Sequence, residues 1–593
     1  MTSLLLICMT SKAQIDTEFW FAAPDNYNWI TTGNYFPDKP LYLRFTAYES
    51  AANIQVYQPA NPSFAPIYIQ VPSNGFQSID LTPFFNVIET APVDSIVPFG
   101  LKIVSDSPVS VYFENAGAVA TAIYTLKGRN ALGTEFLIPQ QSEFMNSNFS
   151  PYIDKLKNSI VVLATQPNTM VKIVPSKNCE AGHMAGDTIV LFMDAGESYN
   201  VKALSVSGWA HLDGSWVFSD KPIVVTSHEE GIFITKEEHY GDQMIPNDKA
   251  DTAFVFVHTD FLAPWEMVYL YAPNNNTEIY HGNNPVPIAT IQRGEYYRLD
   301  MYDSAYYIHS SKPLLAYHLG LIEWTGGTDM VPGLYCHGSK KVSIYRTVMA
   351  NPFNLFLKFK MFIVVKTGFE DSFTLNGNPT LLPSNMFRPV QGTNGEWMYG
   401  LFEFPTTVIP EGSVAIVSNS EGSFLIGVNF GGSDIGAKFG YFSGYSTINL
   451  GPDRFLCTNG SLTLDAGYGQ SSYLWNTGQT TQLITVSDTG NYWVTVNTGS
   501  CTASDTIHIS HTPSAPPNLG PDRIACEGTP IILDGGEGFV QYNWSTGQNT
   551  RFITVTNSGN YNLEVTDLHG CQFNDSVLLQ AQQSPTPIPI FHH

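Results

Sequence analysis

Charge is scarce in this chain of 593 residues: Asp, Glu, Lys and Arg together make up 13%, and basic residues number 28 against 52 acidic ones. The formal charge of −24 repels phosphate backbones and anionic headgroups, which argues against nucleic acid and lipid surfaces as partners. No run approaches ~18 consecutive apolar side chains, so no membrane-spanning segment is read. Helical spacing of apolar residues is almost absent. The motifs of several enzyme classes are missing as well. There is no Gly-Xaa4-Gly-Lys-Ser/Thr phosphate loop and no Gly-Xaa-Ser-Xaa-Gly elbow, and "HEEGI" at 228–232 lacks the second histidine of a zinc helix.

Aromatics, at 13%, and turn formers, at 48 Gly and 38 Pro, are plentiful. Together they favour short strands joined by tight turns. The length exceeds what one core supports, so several domains are expected. The opening "MTSLLLICMTSKAQ" has a short apolar run followed by Ser11-Lys12-Ala13, small residues at the −3 and −1 positions of a cleavage site, and residues 1–13 read as a secretion signal. Removing it takes Cys8 away and leaves six of the seven cysteines in an exported chain, where disulfides persist.

Residues 450–501 and 519–571 are one unit written twice. Cys457 and Cys526 open each copy, Trp475 and Trp544 follow 18 residues later, Tyr492 and Tyr561 come next, and Cys501 and Cys571 close. Each copy reads as short strands broken by Gly, Asn and Asp turns around a central tryptophan, the pattern of a small Ig-like sandwich. Bridges Cys457–Cys501 and Cys526–Cys571 are expected, each closing a loop worth about 4 kcal/mol on the chain-entropy model. These copies resemble the Ig-like and PKD-like repeats of secreted, surface-bound Bacteroidetes proteins exported by type IX secretion. The resemblance implies a stalk leading to an anchor further C-terminal.

A longer period runs through the first 450 residues. "DTEFWFAAP", "GTEFLIPQQ", "DTAFVFVHT" and "YRTVMANPF" open four segments of paired, alternating strands. Each ends in what reads as a closing hairpin with the pattern Ile/Val-Xaa-Ser-Xaa-Xaa-Pro-Val-Xaa-Val, clearest in "KIVSDSPVSVY", "WVFSDKPIVVT" and "YYIHSSKPLLAY"; the fourth segment lacks the proline. The expectation is an all-β chain of tandem antiparallel β-sandwich-like repeats, with β-propeller-like blades as the alternative for residues 16–447, followed by two small Ig-like domains. The boundaries are a signal at 1–13, β repeats at 14–130, 131–248, 249–343 and 344–447, Ig-like repeats at 448–512 and 517–581, and a Pro-rich tail at 582–593.

The "YGDQMIP" run at 240–246, the two Ser-Xaa-Xaa-Pro stretches and "DMVPGLYCHGSKKVSIYR" at 329–346 resemble the N-terminal domain family of IgGFc-binding protein. The resemblance implies a secreted binding or adhesive domain. Animal members carry a cysteine-rich stretch ahead of the Asp-Gln motif, where this chain has only Cys179, so antibody binding is not carried over.

The richest polar stretch is "TSHEEGIFITKEEHYGDQMIP" at 226–246. By alignment of the repeats, its His228, Glu229 and Glu230 fall where the chain leaves its sheet, a solvated acidic loop. A calcium ion on Glu229, Glu230 and Asp242 is the metal reading, and no other cofactor is expected. Tyr240, Asp242 and Gln243 are candidate ligand contacts; the competing reading has the Asp capping a turn and the Gln bonding backbone between repeats. Tyr27 and Trp29, in a loop with Asn and Asp, are candidates for gripping a sugar. Cys336, beside His337, reads as buried or paired with Cys179 rather than nucleophilic. Ser95, Thr188, Thr252 and Thr506 stand in Asp-Ser/Thr-aliphatic triplets that look like the O-glycan acceptor pattern of exported Bacteroidetes proteins. The expected function is non-catalytic binding of a glycan or protein ligand by a secreted or cell-surface protein, an adhesin or matrix component. The alternatives are a glycan-active enzyme with accessory modules and a purely structural spacer.

Overall fold

The computed structural model describes residues 15–25, 40–116, 121–148, 156–234, 237–260, 266–322, 325–334, 338–348, 357–432, 435–441, 450, 454–457, 460–466, 472–497, 502–511, 515–567 and 570–582. Regular structure there is almost all strand, so the protein is all-β. The proposed signal, Tyr27, Trp29, Cys336, Cys501 and the Pro-rich tail lie outside the described residues. The chain forms two compact units. One is Met1–Asn449 with Ala466–Leu474 and Thr495–Ser504; the other is Leu450–Asp465, Trp475–Val494 and Asp505–His593.

In the first unit, three successive segments share one plan. Each is organised by a long strand: Leu101–Asn115, Trp216–Phe233 or Ala305–Ile322. In the first segment, residues 101–105 pair with Glu18, Phe19, Trp20 and Phe21 and with Ile54, Gln55, Val56 and Tyr57, whereas residues 109–115 pair with Leu41–Ala47 and Ala122–Thr125; Asp16 alone of its strand pairs past the crossing, with Val109. The long strand thus passes from one layer of a sandwich to the other, with a register shift at the crossing.

The Ser-Xaa-Xaa-Pro pattern is that crossing, not the closing hairpin expected from sequence. The hydroxyls of Ser105, Ser219 and Ser310 donate to the carbonyls of Ser107 (2.6 Å), Lys221 (2.7 Å) and Lys312 (2.7 Å). The next side chain accepts a backbone N–H from the neighbouring strand: Asp106 from Asn53 (2.8 Å), Asp220 from Met170 (2.8 Å) and Ser311 from Glu278 (2.9 Å). Pro108, Pro222 and Pro313 sit where the ladder is interrupted and need donate nothing. Local side-chain bonds replace the missing ladder bonds, so the strand continues instead of turning back. The fourth segment has no proline, and its chain breaks there. Ser413–Asn419 and Phe424–Gly432 belong to separate sheets, and Asn419 Oδ1 closes a turn by accepting the N–H groups of Glu421 and Gly422 (both 2.9 Å).

Each segment ends in a short inner strand: Ala122–Thr125, Glu237–Gln243, Thr325–Val331 and Ile435–Tyr441. Each inner strand packs on the next, and the fourth packs on the first, which closes a ring. Sandwich segments are therefore combined with the circular closure of a propeller. The third and fourth segments meet at a notch: Gly320 and Gly327 face each other across the third hairpin, and Phe439 lies against both.

In the second unit, the second Ig-like repeat forms a sheet in the order Arg523–Cys526, Gln572–Gln582, Gly559–Asp567, Phe539–Trp544, with Ile531–Asp534 paired to Phe552–Val555. The recurring tryptophans and tyrosines have matching roles. Trp475 and Trp544 are buried, and their Nε1 atoms donate to the carbonyls of Thr481 and Thr550 (both 2.8 Å). The Tyr492 and Tyr561 hydroxyls donate to the carbonyls of Asp488 (2.9 Å) and Asn557 (2.8 Å). Trp544→Ala is expected to destabilise this repeat by about 3–5 kcal/mol. Denaturant unfolding followed by fluorescence would show it as an early transition confined to the second unit.

The cystine is not where the sequence suggested. Cys457 is bonded to Cys571, across the two repeats, and Cys526 is an exposed free thiol. The reason is the parallel pairing of each repeat's first and last strands. Leu456 stands opposite His511 and Cys526 opposite Gln582. Cys571 precedes the first residue of the strand Gln572–Gln582, so about ten residues of strand, or ~33 Å, separate it from Cys526.

Candidate functional site

The polar stretch at 226–246 is not a solvated loop. His228, Glu229 and Glu230 lie within the long strand Trp216–Phe233, and Tyr240, Asp242 and Gln243 lie on the inner strand that pairs back on it; all six are buried. The hairpin turns after Phe233, beyond the acidic run; Glu229 finds its partners within the segment, whereas His228, Asp242 and Gln243 find theirs in neighbouring ones.

At the ring centre every segment contributes a group. Lys127, from the first segment, is ion-paired with Asp242 of the second, and its Nζ is 3.8 Å from Asp329 of the third. Asp242 also accepts the backbone N–H of Met330 (3.2 Å). Asp329 accepts the backbone N–H of Tyr441, from the fourth segment, at 2.6 Å. Burial, and then the neighbouring charge of Asp242, hold Asp329 well above the usual carboxylate range. Asp329 thus keeps its proton, and one ammonium faces one carboxylate in a place from which water is excluded. Gln243 ties first segment to second, accepting the Lys127 N–H (2.7 Å) and donating to the Trp20 carbonyl (2.8 Å). The Gly241 N–H donates to Thr328 (3.0 Å).

Each of the first three segments has a further buried carboxylate with its own partner. Arg44 binds Glu114 (2.6 and 2.7 Å). Glu229 accepts the Gln141 N–H (3.0 Å) and lies 3.6 Å from His211; burial raises its pKa. Glu266 meets His318 Nε2 at 3.0 Å and accepts the Thr259 N–H (3.0 Å). His228 Nδ1 lies 2.6 Å from the Tyr124 hydroxyl, and burial holds its pKa well below the ordinary value, so the ring is neutral.

The sequence-based site residues therefore separate. Glu229 and Glu230 are adjacent on one strand and point to opposite faces, while Asp242 is taken by Lys127. The three do not form one oxygen cluster, and among the described residues no group of three His, Cys, Asp or Glu could hold a metal ion. Tyr240, Asp242 and Gln243 are buried and cannot touch an external ligand; Asp242 and Gln243 bond one segment to another, and Tyr240 packs in a core shared by the second and third segments. Cys179 is buried, and burial pushes its thiol up to about 12, too high for a nucleophile. Of the triplet residues, Thr188 and Thr506 are exposed, while Ser95 and Thr252 are half-buried.

Sequence reasoning missed Lys127 and Asp329. A signal existed: "GDQMIP" and "TDMVP" both end in Met-aliphatic-Pro, with an Asp directly before it in one and one residue earlier in the other, on two inner strands, and two such acids at one centre call for a cation.

Fold and centre together define a class: an all-β scaffold closed into a ring by buried polar groups that serve the scaffold. The chain belongs to the IgGFc binding protein family, whose model matches residues 120–428. No curated protein matches it. Among solved structures it is similar to tandem Ig-domain chains. These include the eight N-terminal Ig domains of Down Syndrome Cell Adhesion Molecule (10% identity, 92% of this chain and 85% of that chain, TM-score 0.17) and the insect immune protein hemolin (9%, 56% and 100%, TM-score 0.15). Extracellular domains 3–5 of Drosophila OTK are a third (8%, 41% and 93%, TM-score 0.15). TM-scores this low carry no argument about arrangement or role. Among the described residues no helix is long and apolar enough to cross a membrane.

Proposed function

We propose that the protein is a non-catalytic binding protein of the cell surface or extracellular space, which takes a glycan or protein ligand on the outer sheet faces of its first unit. One observation carries this reading: the acids and bases that the first unit gathers at its ring centre are buried and bound into the scaffold, whereas outer faces offer ordered aromatic and amide groups. Family membership supports a binding role.

One such face is in the first segment. Asn53, Gln55, Tyr68, Gln70 and Asp106 surround a shallow depression of about 620 Å³. Tyr68 is 73% exposed, and its hydroxyl is held by Gln55 Nε2 (3.2 Å). Asn53 Nδ2 donates to Asp106 (2.6 Å), and Asn53 Oδ1 accepts from Gln70 Nε2 (3.2 Å). Hydrogen bonds from Asn53 lower the Asp106 pKa, so it is ionised at neutral pH. An aromatic plane beside fixed acceptors and donors suits the apolar face and the hydroxyls of a sugar, or a protein loop.

The test is an array of extracellular glycans, immunoglobulin fragments and matrix proteins, probed with the full chain. The reading predicts a retained ligand, chemically unchanged, and at least tenfold weaker binding by Tyr68→Ala with unchanged unfolding. Cleavage of a glycan would contradict it. Silence on every probe would favour the spacer.

A further inference from the structure

The bonded pair Cys457–Cys571 lies at the joint between the two Ig-like repeats, and the topology says why. In each repeat the first strand ends beside the end of the last strand, so Cys457 and Cys526 mark the trailing end, where the chain leaves. The final hairpin turns at the opposite, leading end, where the chain enters. There the Leu519 N–H donates to Asp575 (2.7 Å), three residues into the strand that follows Cys571, and the Leu450 N–H likewise donates to Asp505 (2.6 Å). The trailing end of one repeat meets the leading end of the next, and the cystine crosses that joint.

Cys526 repeats the position of Cys457 after 69 residues. It stands opposite the last residue of the final strand, Gln582, and it is exposed and unbonded. The residue equivalent to it is already bonded, in the same molecule, to the hairpin-tip cysteine of the module that follows.

We propose that Cys526 is the open half of a second joint: a docking thiol for the hairpin-tip cysteine of a further Ig-like repeat of this type, placed behind the second one. The two thiols would form a disulfide, giving up two protons and two electrons. A low-molecular-weight disulfide such as oxidised glutathione accepts them and becomes two thiols, by exchange through the exposed Cys526 thiolate.

The test compares the full chain with a chain in which a second copy of residues 512–582, with serine in place of its own counterpart of Cys526, replaces residues 582–593, which keeps the spacing of the first joint. Both are folded with oxidised glutathione and then alkylated. Cys526 should be labelled in the native chain and protected in the extended one. Peptide mapping should link it to the added tip cysteine, and changing that cysteine to serine should restore the label. Labelling of Cys526 in the extended chain while Cys457–Cys571 stays intact would overturn the proposal, as would absence of Cys457–Cys571 from the native chain. A second variant does not depend on the added repeat. In Cys571→Ser, Cys457 should become as reactive as Cys526, and its capture by Cys501 or Cys526 instead would refute the equivalence.

Discussion

Lys127→Met is expected to destabilise the first unit by about 3–5 kcal/mol, the range for removing one partner of a buried ion pair. Lys127 is wholly buried, and its ammonium is the cation facing both Asp242 and Asp329. Without it, Asp242 must stay ionised in a dry site or take up a proton, and either is unfavourable. The double variant Lys127→Met/Asp242→Asn removes both charges and should recover most of the loss, because uncharged groups of similar volume replace a buried pair at little net change. Thermal and denaturant unfolding of the three proteins checks this. A double variant no more stable than Lys127→Met would mean that lost packing, not the uncompensated charge, is the cause.

Gly241→Ala should cost about 3 kcal/mol or more, for two independent reasons. The backbone at Gly241 has φ +148°, a region L side chains rarely adopt and which costs on the order of 1–3 kcal/mol. A methyl there would also run into the Ser227 carbonyl and come within 2.9 Å of the Tyr124 ring. Overpacking of this kind adds about 1–3 kcal/mol. Tyr124 cannot move away cheaply, since its hydroxyl is held by His228. A drop in the unfolding midpoint of the first unit, with the second unit unmoved, is the expected reading. An alanine variant as stable as the parent would contradict the close packing of the inner strands.

Much of the fold was legible because period-2 alternation is a local signal: "NSIVVLA" and "TMVKIV" read as strands wherever they lie. The repeats were legible because Ser-Xaa-Xaa-Pro, the paired tryptophans and the cysteines recur at fixed spacing. What they do in space was not. Ser105 and Pro108 could equally have marked a hairpin, and only the pairing of residues 101–105 and 109–115 with different partners shows a strand crossing between layers. The acidic run at 228–230 looked like a loop because buried carboxylates are rare unless paired. Their partners, His211, Gln141 and, from the first segment, Lys127 facing Asp242, are distant in sequence. The cystines failed for the same reason: spacing within a repeat was clear, but the parallel pairing that carries Cys526 away from Cys571 is a property of the sheet.

The polar motif at 240–246 is buried in the closure of a ring of four inner strands and is not an exposed ligand site. Native-state hydrogen exchange of the unmodified chain tests it most directly, read at Ala122–Thr125, Glu237–Gln243, Thr325–Val331 and Ile435–Tyr441. A closed ring requires these four strands, far apart in sequence, to share one opening free energy, the highest of the first unit. Four different values, each matching the rest of its own segment, would show four independent domains and contradict the account.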